Sequence, residues 1–169
     1  NPRQVKASIG IVPQEVNLDA FFSPQKLLEL QAGLYGITKK DRITNLILRM
    51  VALENKANAY SRNLSGGMKR RLLIAKAMVH QPPILILDEP TAVVDVELRN
   101  NLWKNVKELN KEGVTIILTT HYLFEAQKMC DRIAIISNGN LVALDTTQKL
   151  IDRVKTKKIR FKINQIDRN

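Results

Sequence analysis

Four short stretches carry side chains able to manage a phosphate. Ser65-Gly66-Gly67 opens the run SGGMKRRLLIAKAMV, whose apolar positions continue at helical spacing. A serine N-cap followed by two glycines leaves the first backbone N–H groups of such a helix uncovered. Those orphan donors and the helix dipole favour an anion. The Ser65 hydroxyl adds a donor there, and Lys69, Arg70 and Arg71 follow closely. Asp88 and Glu89 close the apolar run ILIL. A carboxylate ending a buried parallel strand lies where open α/β sheets bind ligands. Asp88 in that place suits Mg²⁺, which takes hard oxygen ligands and keeps much of its water. Glu89 projects differently and can polarise an attacking water, as phosphoanhydride hydrolysis requires. Gln14 follows SIGIVP and offers an amide to a metal or a water, while His121 follows VTIILTT, where an imidazole at a strand's C-terminal edge can donate to a terminal phosphate. His80, beside Gln81-Pro82, reads as a surface or capping residue.

The elements that must place these groups are legible from pattern. KASIGIV, Lys6 to Val12, reads as a strand leading into Pro13-Gln14. Ser23-Pro24 gives a helix start, cap then proline, carrying Leu27, Leu28, Leu30 and Leu34. A second helix is expected near Lys39 to Ala52, with Ile43, Leu46, Ile47 and Met50 at helical spacing, and a third from Ser65 to about Val79, stopped by Pro82-Pro83. ILILD, continuously apolar before its carboxylate, predicts a central parallel strand covered on both faces. A helix from Val96 to Lys111, ended at Gly113, connects it to the strand Val114 to Thr120, so a parallel strand-helix-strand unit is expected. A short helix, Leu123 to Met129, precedes RIAIIS; Asn138-Gly139 then signals a hairpin into LVALD. KIRFKI, Lys158 to Ile163, reads as a half-exposed edge strand.

Composition bounds the function. With 169 residues and 44% hydrophobic content, the chain can bury a real core. No apolar run approaches the roughly 20 residues of a membrane span, and the N-terminus lacks a signal-peptide pattern, so a soluble intracellular protein is expected. Cys130, the only cysteine, cannot pair internally and sits in an apolar stretch, as a small core residue does. The net charge of +11 concentrates after Thr146, where eight Lys or Arg stand against two Asp. Phe161 is the tail's only aromatic, so stacking on single-stranded bases has little to work with and no nucleic-acid partner is expected.

The run LSGGMKRRLLIAKAMVHQPPILILDEPTAVVD, Leu64 to Asp95, resembles the signature and Walker B segments of ABC transporter ATP-binding subunits, with Met68 where the family has glutamine. The stretch GVTIILTTHYLFEAQKMCDRIAIISNGNLV is similar to bacterial and archaeal export ATPases of the daunorubicin-resistance type. The resemblance implies a P-loop NTPase-like α/β fold: a mostly parallel sheet with flanking helices, a small helical subdomain and a C-terminal β-hairpin. It implies ATP and Mg²⁺ as ligands. Asp88 would be the Walker B aspartate, Glu89 the catalytic glutamate, Gln14 the Q-loop residue sensing metal, His121 the switch histidine and Asp95 the D-loop aspartate. Val93 stands where related sequences usually have glycine, which matters if that position needs positive φ. Ser65, Gly66 and Gly67 would cap the γ-phosphate held by a second copy, in a head-to-tail homodimer docked on an integral-membrane permease at the cytoplasmic face.

No GxxxxGKS/T loop occurs in the sequence. The expectation is therefore a single partial ATPase domain over 1–169, missing its start: a helical subdomain over 20–80, the remaining catalytic core over 81–145 and a basic extension over 146–169. Such a chain alone should bind ATP weakly and hydrolyse it negligibly. The alternatives are a non-transport relative acting on ribosomes or nucleic acid, and a catalytically inactive remnant.

Overall fold

The computed structural model of the chain describes residues 1–91 and 96–153. Two compact units are present, Asn1–Leu123 and Phe124–Asn169. In the first, β1 (Ile9–Val12), β2 (Ile84–Asp88) and β3 (Thr115–Thr119) form a parallel sheet in the order β1-β2-β3. Register pairs Val12 with Leu87 and Leu87 with Leu118, and Asp88 with Thr119. All three strands therefore run out at one edge, which brings Gln14, Glu89 and the residues after Thr119 together.

The expected strand from Lys6 is shorter than its sequence suggests. Pro2–Ser8 forms a helix, α1, whose Asn1 side chain accepts from the Arg3 amide. A side-chain cap and a proline in the first turn favour helix there, and the β-branched residues begin to dominate only at Ile9.

Three helices build the helical unit. α2 (Pro24–Leu34) is capped by Ser23, whose side chain accepts from the Lys26 amide. Its Leu27, Leu28 and Ala32 are buried, whereas Leu30 and Leu34 lie exposed. The anticipated Lys39–Ala52 helix is broken: Lys39–Asp41 makes a 3-10 turn and only Thr44–Met50 is α-helical (α3). Glu29 explains the break, because it accepts from both Arg42 and Thr44 and holds the chain between turn and helix. The Thr44 hydroxyl and then the Arg42 guanidinium hold the Glu29 carboxyl below its ordinary pKa. Ile47 and Leu48 point inward from α3.

α4 (Gly66–Met78) begins at Ser65, as its sequence requires, and lies against the sheet. The approach is close at one point. A Cβ placed on Gly10 would sit 2.4 Å from the Ala77 carbonyl oxygen of α4. Gly10→Ala is thus expected to destabilise the chain by about 1–3 kcal/mol through overpacking, read as a lower urea midpoint. An unchanged midpoint would contradict that packing. α5 (Val96–Lys111) buries Leu102, Trp103, Val106 and Leu109. Gly113, at φ +99°, supplies the left-handed residue that turns the chain toward β3.

β2 is covered less evenly than its composition predicts. Leu85 and Leu87 are buried, while Ile84 and Ile86 on the other face are half-buried, and their neighbours Ile11 and Ile117 are 60% and 49% exposed. His80 is not a free surface group. It stacks on Tyr35 at 3.8 Å between ring centroids, with Nε2 3.2 Å from the Ile9 carbonyl. Burial holds its imidazole below the ordinary pKa, against the hydrogen bond to Ile9.

In the second unit, β4 (Arg132–Ser137) and β5 (Asn140–Thr146) pair antiparallel around Asn138-Gly139, both at positive φ. That is the geometry Asn-Gly favours in a two-residue hairpin turn. α6 (Thr147–Arg153) follows, and Arg153 pairs with Asp145 at 2.7 Å. Cys130 is half-buried, and burial followed by the neighbouring Asp131 raises its thiol pKa. Among the described residues no helix is long and apolar enough to cross a membrane. The KIRFKI stretch lies outside the described residues.

Candidate functional site

At the C-terminal edge of the parallel sheet one carboxylate gathers two partners. Gln14 donates its side-chain N–H to Glu89 Oε2 at 3.1 Å, and His121 Nδ1 lies 2.8 Å from Glu89 Oε1. An ionised carboxylate only accepts, so His121 Nδ1 is the donor. A neutral His121 then turns a lone pair at Nε2 toward solvent; donating to a phosphate from that atom takes a second proton.

Glu89 itself stands in an unusual backbone conformation, φ +42°, just after β2 ends. A non-glycine residue held there carries roughly 1–3 kcal/mol of strain, which the surroundings must offset. Part of that support comes from β3. The Glu89 amide donates to the Thr119 carbonyl at 3.1 Å and to Thr119 Oγ1 at 3.2 Å, and the Thr119 hydroxyl in turn donates to Asp88 Oδ1. Thr119 thus holds the Asp88 carboxylate and the Glu89 backbone. The sequence gives a signal for it only through register, since pairing Asp88 with Thr119 puts the hydroxyl beside the carboxylate.

Arg70 supplies the rest. Its side chain is buried, with the residue 4% exposed, and among the described residues its guanidinium donates to backbone oxygens. Nε donates to the Pro90 carbonyl, one terminal nitrogen to those of Pro13 and Gln14, and the other to those of Asp88 and Glu89, at 2.5–3.0 Å. Burial lowers its pKa, while Asp88 and Glu89 pull the other way. Arginine starts so far above neutrality that it stays cationic. Arg70 therefore does not join Lys69 in a basic rim for an anion, which was its expected place. Arg71 is likewise engaged, donating to the Val51 and Ala52 carbonyls at 2.7 and 3.0 Å. Helical phase alone does not mark Arg70 out, because Arg71 likewise has buried Ile74, Ala75 and Met78 three, four and seven residues on.

Ser65, Gly66 and Gly67 form the start of α4 as expected. Ser65 Oγ accepts from the Met68 amide at 3.3 Å, leaving its hydroxyl proton for another acceptor. Ser65 and Gly66 are exposed, and a Cβ on Gly66 would meet nothing within 4 Å. These three residues make no hydrogen bond to the Gln14, Glu89 and His121 group in the bonds described. Asp95 and Val93 lie outside the described residues.

The donor set suits Mg²⁺ held jointly with a phosphate ligand. Asp88 and the Gln14 side-chain oxygen are hard donors, and among the described residues no three His, Cys, Asp or Glu side chains cluster into a protein-only metal cage. Mg²⁺ is characteristically bound by one or two carboxylates plus substrate phosphates and water.

A family model described as "ABC transporter" matches residues 1–92. The chain belongs to the ABC transporter family. Among its relatives, the Nod factor export ATP-binding protein I of Cupriavidus pinatubonensis is 39% identical over 88% of this chain and 46% of its own length. The linearmycin resistance ATP-binding protein of Bacillus subtilis is 40% identical over 89% of this chain and 49% of its own. The chain spans about half the length of the curated relatives it matches. A solved structure described as an ATP-binding subunit of an ABC transporter superposes with a TM-score of 0.79 at 27% identity, covering 90% of this chain and 65% of that one. The fold is accordingly the α/β architecture of ABC ATP-binding subunits, a parallel sheet with flanking helices and a C-terminal hairpin.

Proposed function

We propose that this chain is the nucleotide-hydrolysing, energy-coupling part of an ABC exporter, acting as a homodimer beneath an integral-membrane permease on the cytoplasmic face. The observation that carries this reading is the convergence of Gln14 and His121 on Glu89, beside Asp88, at one sheet edge. The export functions in the relatives' names point the same way.

In this reading Glu89 accepts a proton from the water that attacks the γ-phosphate, and His121 and Gln14 fix the direction of its carboxylate. Each Glu89 oxygen has a second lone-pair site, so the water can bind while both partners stay. Asp88, oriented by Thr119, and the Gln14 oxygen would hold Mg²⁺. When bound, that ion neutralises developing charge on the phosphate oxygens. Ser65, Gly66 and Gly67 present the positive end of α4 to the terminal phosphate bound on the other copy, with Asp95 on the loop crossing between copies. The permease is received by the helical unit and the Gln14 loop. There Phe21 and Tyr60 are 70% and 51% exposed beneath the Arg62 guanidinium, 5.6 and 5.1 Å from their ring centroids. An amphipathic peptide would find apolar area and a charge together at that place.

The grip on β- and γ-phosphates in this class comes from a P-loop and its lysine, which the sequence does not contain. The purified 169-residue chain is therefore expected to release phosphate from Mg-ATP negligibly. The same chain extended by a relative's P-loop segment is expected to do so about 10²-fold faster or more. Robust Mg²⁺-dependent turnover by the unextended chain, abolished by Glu89→Gln, would contradict this.

A further inference from the structure

We propose that Arg70 is a positioning residue for hydrolysis, locking the Gln14 loop and the Glu89 turn to the helix that caps the phosphate. The inference rests on reading Glu89 and Gln14 as the hydrolytic centre, and adds to it the part that ties that centre to α4.

Both loops leave carbonyls that regular structure cannot satisfy. β1 ends at Val12 and β2 at Asp88, so the oxygens of Pro13, Gln14, Glu89 and Pro90 lie beyond the strands. Glu89 at φ +42° turns its own carbonyl out of line with the sheet. The Pro90 carbonyl is met in a buried bond and the others in part-buried ones, and a carbonyl shut off from water without a donor costs about 1–3 kcal/mol. Arg70 answers these four, and the Asp88 carbonyl at the strand end, with one planar guanidinium, whose five N–H groups diverge in a fixed fork. A lysine ammonium has three donors from one point and cannot span both loops.

The lock has a direction. Arg70 sits in the second turn of α4, and the uncovered amides of Ser65–Gly67 sit at the start of that helix. Both groups lie within the first two turns of one 13-residue helix, joined by its backbone hydrogen bonds. Contact at its N-terminus with a phosphate held by the other copy is therefore passed through Arg70 to the backbone of this copy's own Glu89 and Gln14. A merely structural arginine would stabilise the fold without setting Glu89.

The test uses the 169-residue chain without nucleotide, as parent, Arg70→Lys and Arg70→Met. In Arg70→Lys, the Glu89 amide, which donates to Thr119, is expected to exchange its hydrogen about 10-fold faster than in the parent, while amides of α2 and α3 keep their protection. The His121 ring, held as the Nδ1–H donor by Glu89, is expected to shift its ¹⁵N signals toward a mixture of tautomers. Arg70→Met, which keeps the stem and removes every donor, is expected to show both changes more strongly. Unaltered Glu89 exchange and an unaltered His121 spectrum in folded Arg70→Lys would overturn the proposal. Should neither variant fold, the parent decides: slowly rotating, resolved terminal N–H signals for Arg70 support the lock, and averaged ones overturn it. None of these readouts needs turnover, so their failure is distinct from a failure of the hydrolytic reading, which Glu89→Gln tests.

Discussion

Glu89→Gln in the P-loop-extended chain is expected to slow ATP hydrolysis by about 10²–10⁴-fold while ATP binding persists. The amide is nearly isosteric with the carboxylate but cannot take a proton from water. It also has one acceptor oxygen where Glu89 has two, and those two accept from Gln14 and His121. One partner must therefore reorient: Gln14 by turning its own amide, or His121 by moving its proton to Nε2. The loss should fall on kcat with KM little changed, because Glu89 meets the water rather than the nucleotide. Steady-state kinetics with a parallel nucleotide-binding titration separates the two. A variant retaining a tenth or more of the parent kcat would remove Glu89 from the role of base.

Gly66→Asp is expected to separate stability from function. The side chain enters open space, since a Cβ there meets no atom within 4 Å. An aspartate in the first turn of α4 complements the helix dipole, typically by 0.3–1 kcal/mol, and relieves the backbone entropy of a helical glycine. The unfolding midpoint should hold or rise. The same carboxylate faces the incoming phosphate, where like charges repel by several kcal/mol. ATP-dependent pairing of two copies of the extended chain, followed by light scattering, should be lost, with hydrolysis down about 10²-fold or more. Retained pairing would mean that the start of α4 does not meet a phosphate.

The sequence was most readable where chemistry and local geometry coincide. Ser65-Gly66-Gly67 is both cap and helix start, so α4 begins where its residues require, and Asn138-Gly139 alone dictates the hairpin. The Gln14, Glu89 and His121 group was legible because each residue follows a strand, and parallel strands end together. Arg70 was harder. Lys69, Arg70 and Arg71 are alike as letters, each has buried residues three and four positions on in α4, and only the loop carbonyls that Arg70 meets single it out. Thr119 was hidden because its part depends on register across β2 and β3. α3 fell short of its apolar pattern because Glu29, distant in sequence, binds Arg42 and Thr44 and stops the helix from extending back. At α3 a tertiary contact overrode a local preference, while the parts of Arg70 and Thr119 depend on contacts between elements that no local pattern carries.

The central claim is that Glu89 of one copy works with Ser65–Gly67 of another, and mixing two inactive variants of the extended chain tests it most directly. Gly66→Asp and Glu89→Gln are purified separately, combined in equal amounts and assayed for Mg²⁺-dependent ATP hydrolysis. A mixed dimer has one site with an intact Glu89 facing an intact Gly66, and a second site that carries both lesions. One of the two sites in a mixed dimer is sound, so hydrolysis is expected to return, to about a quarter of the parent rate if copies pair at random and to less where Gly66→Asp weakens the pairing. If each site were completed within a single copy, every site in the mixture would carry one lesion, and mixing would restore nothing.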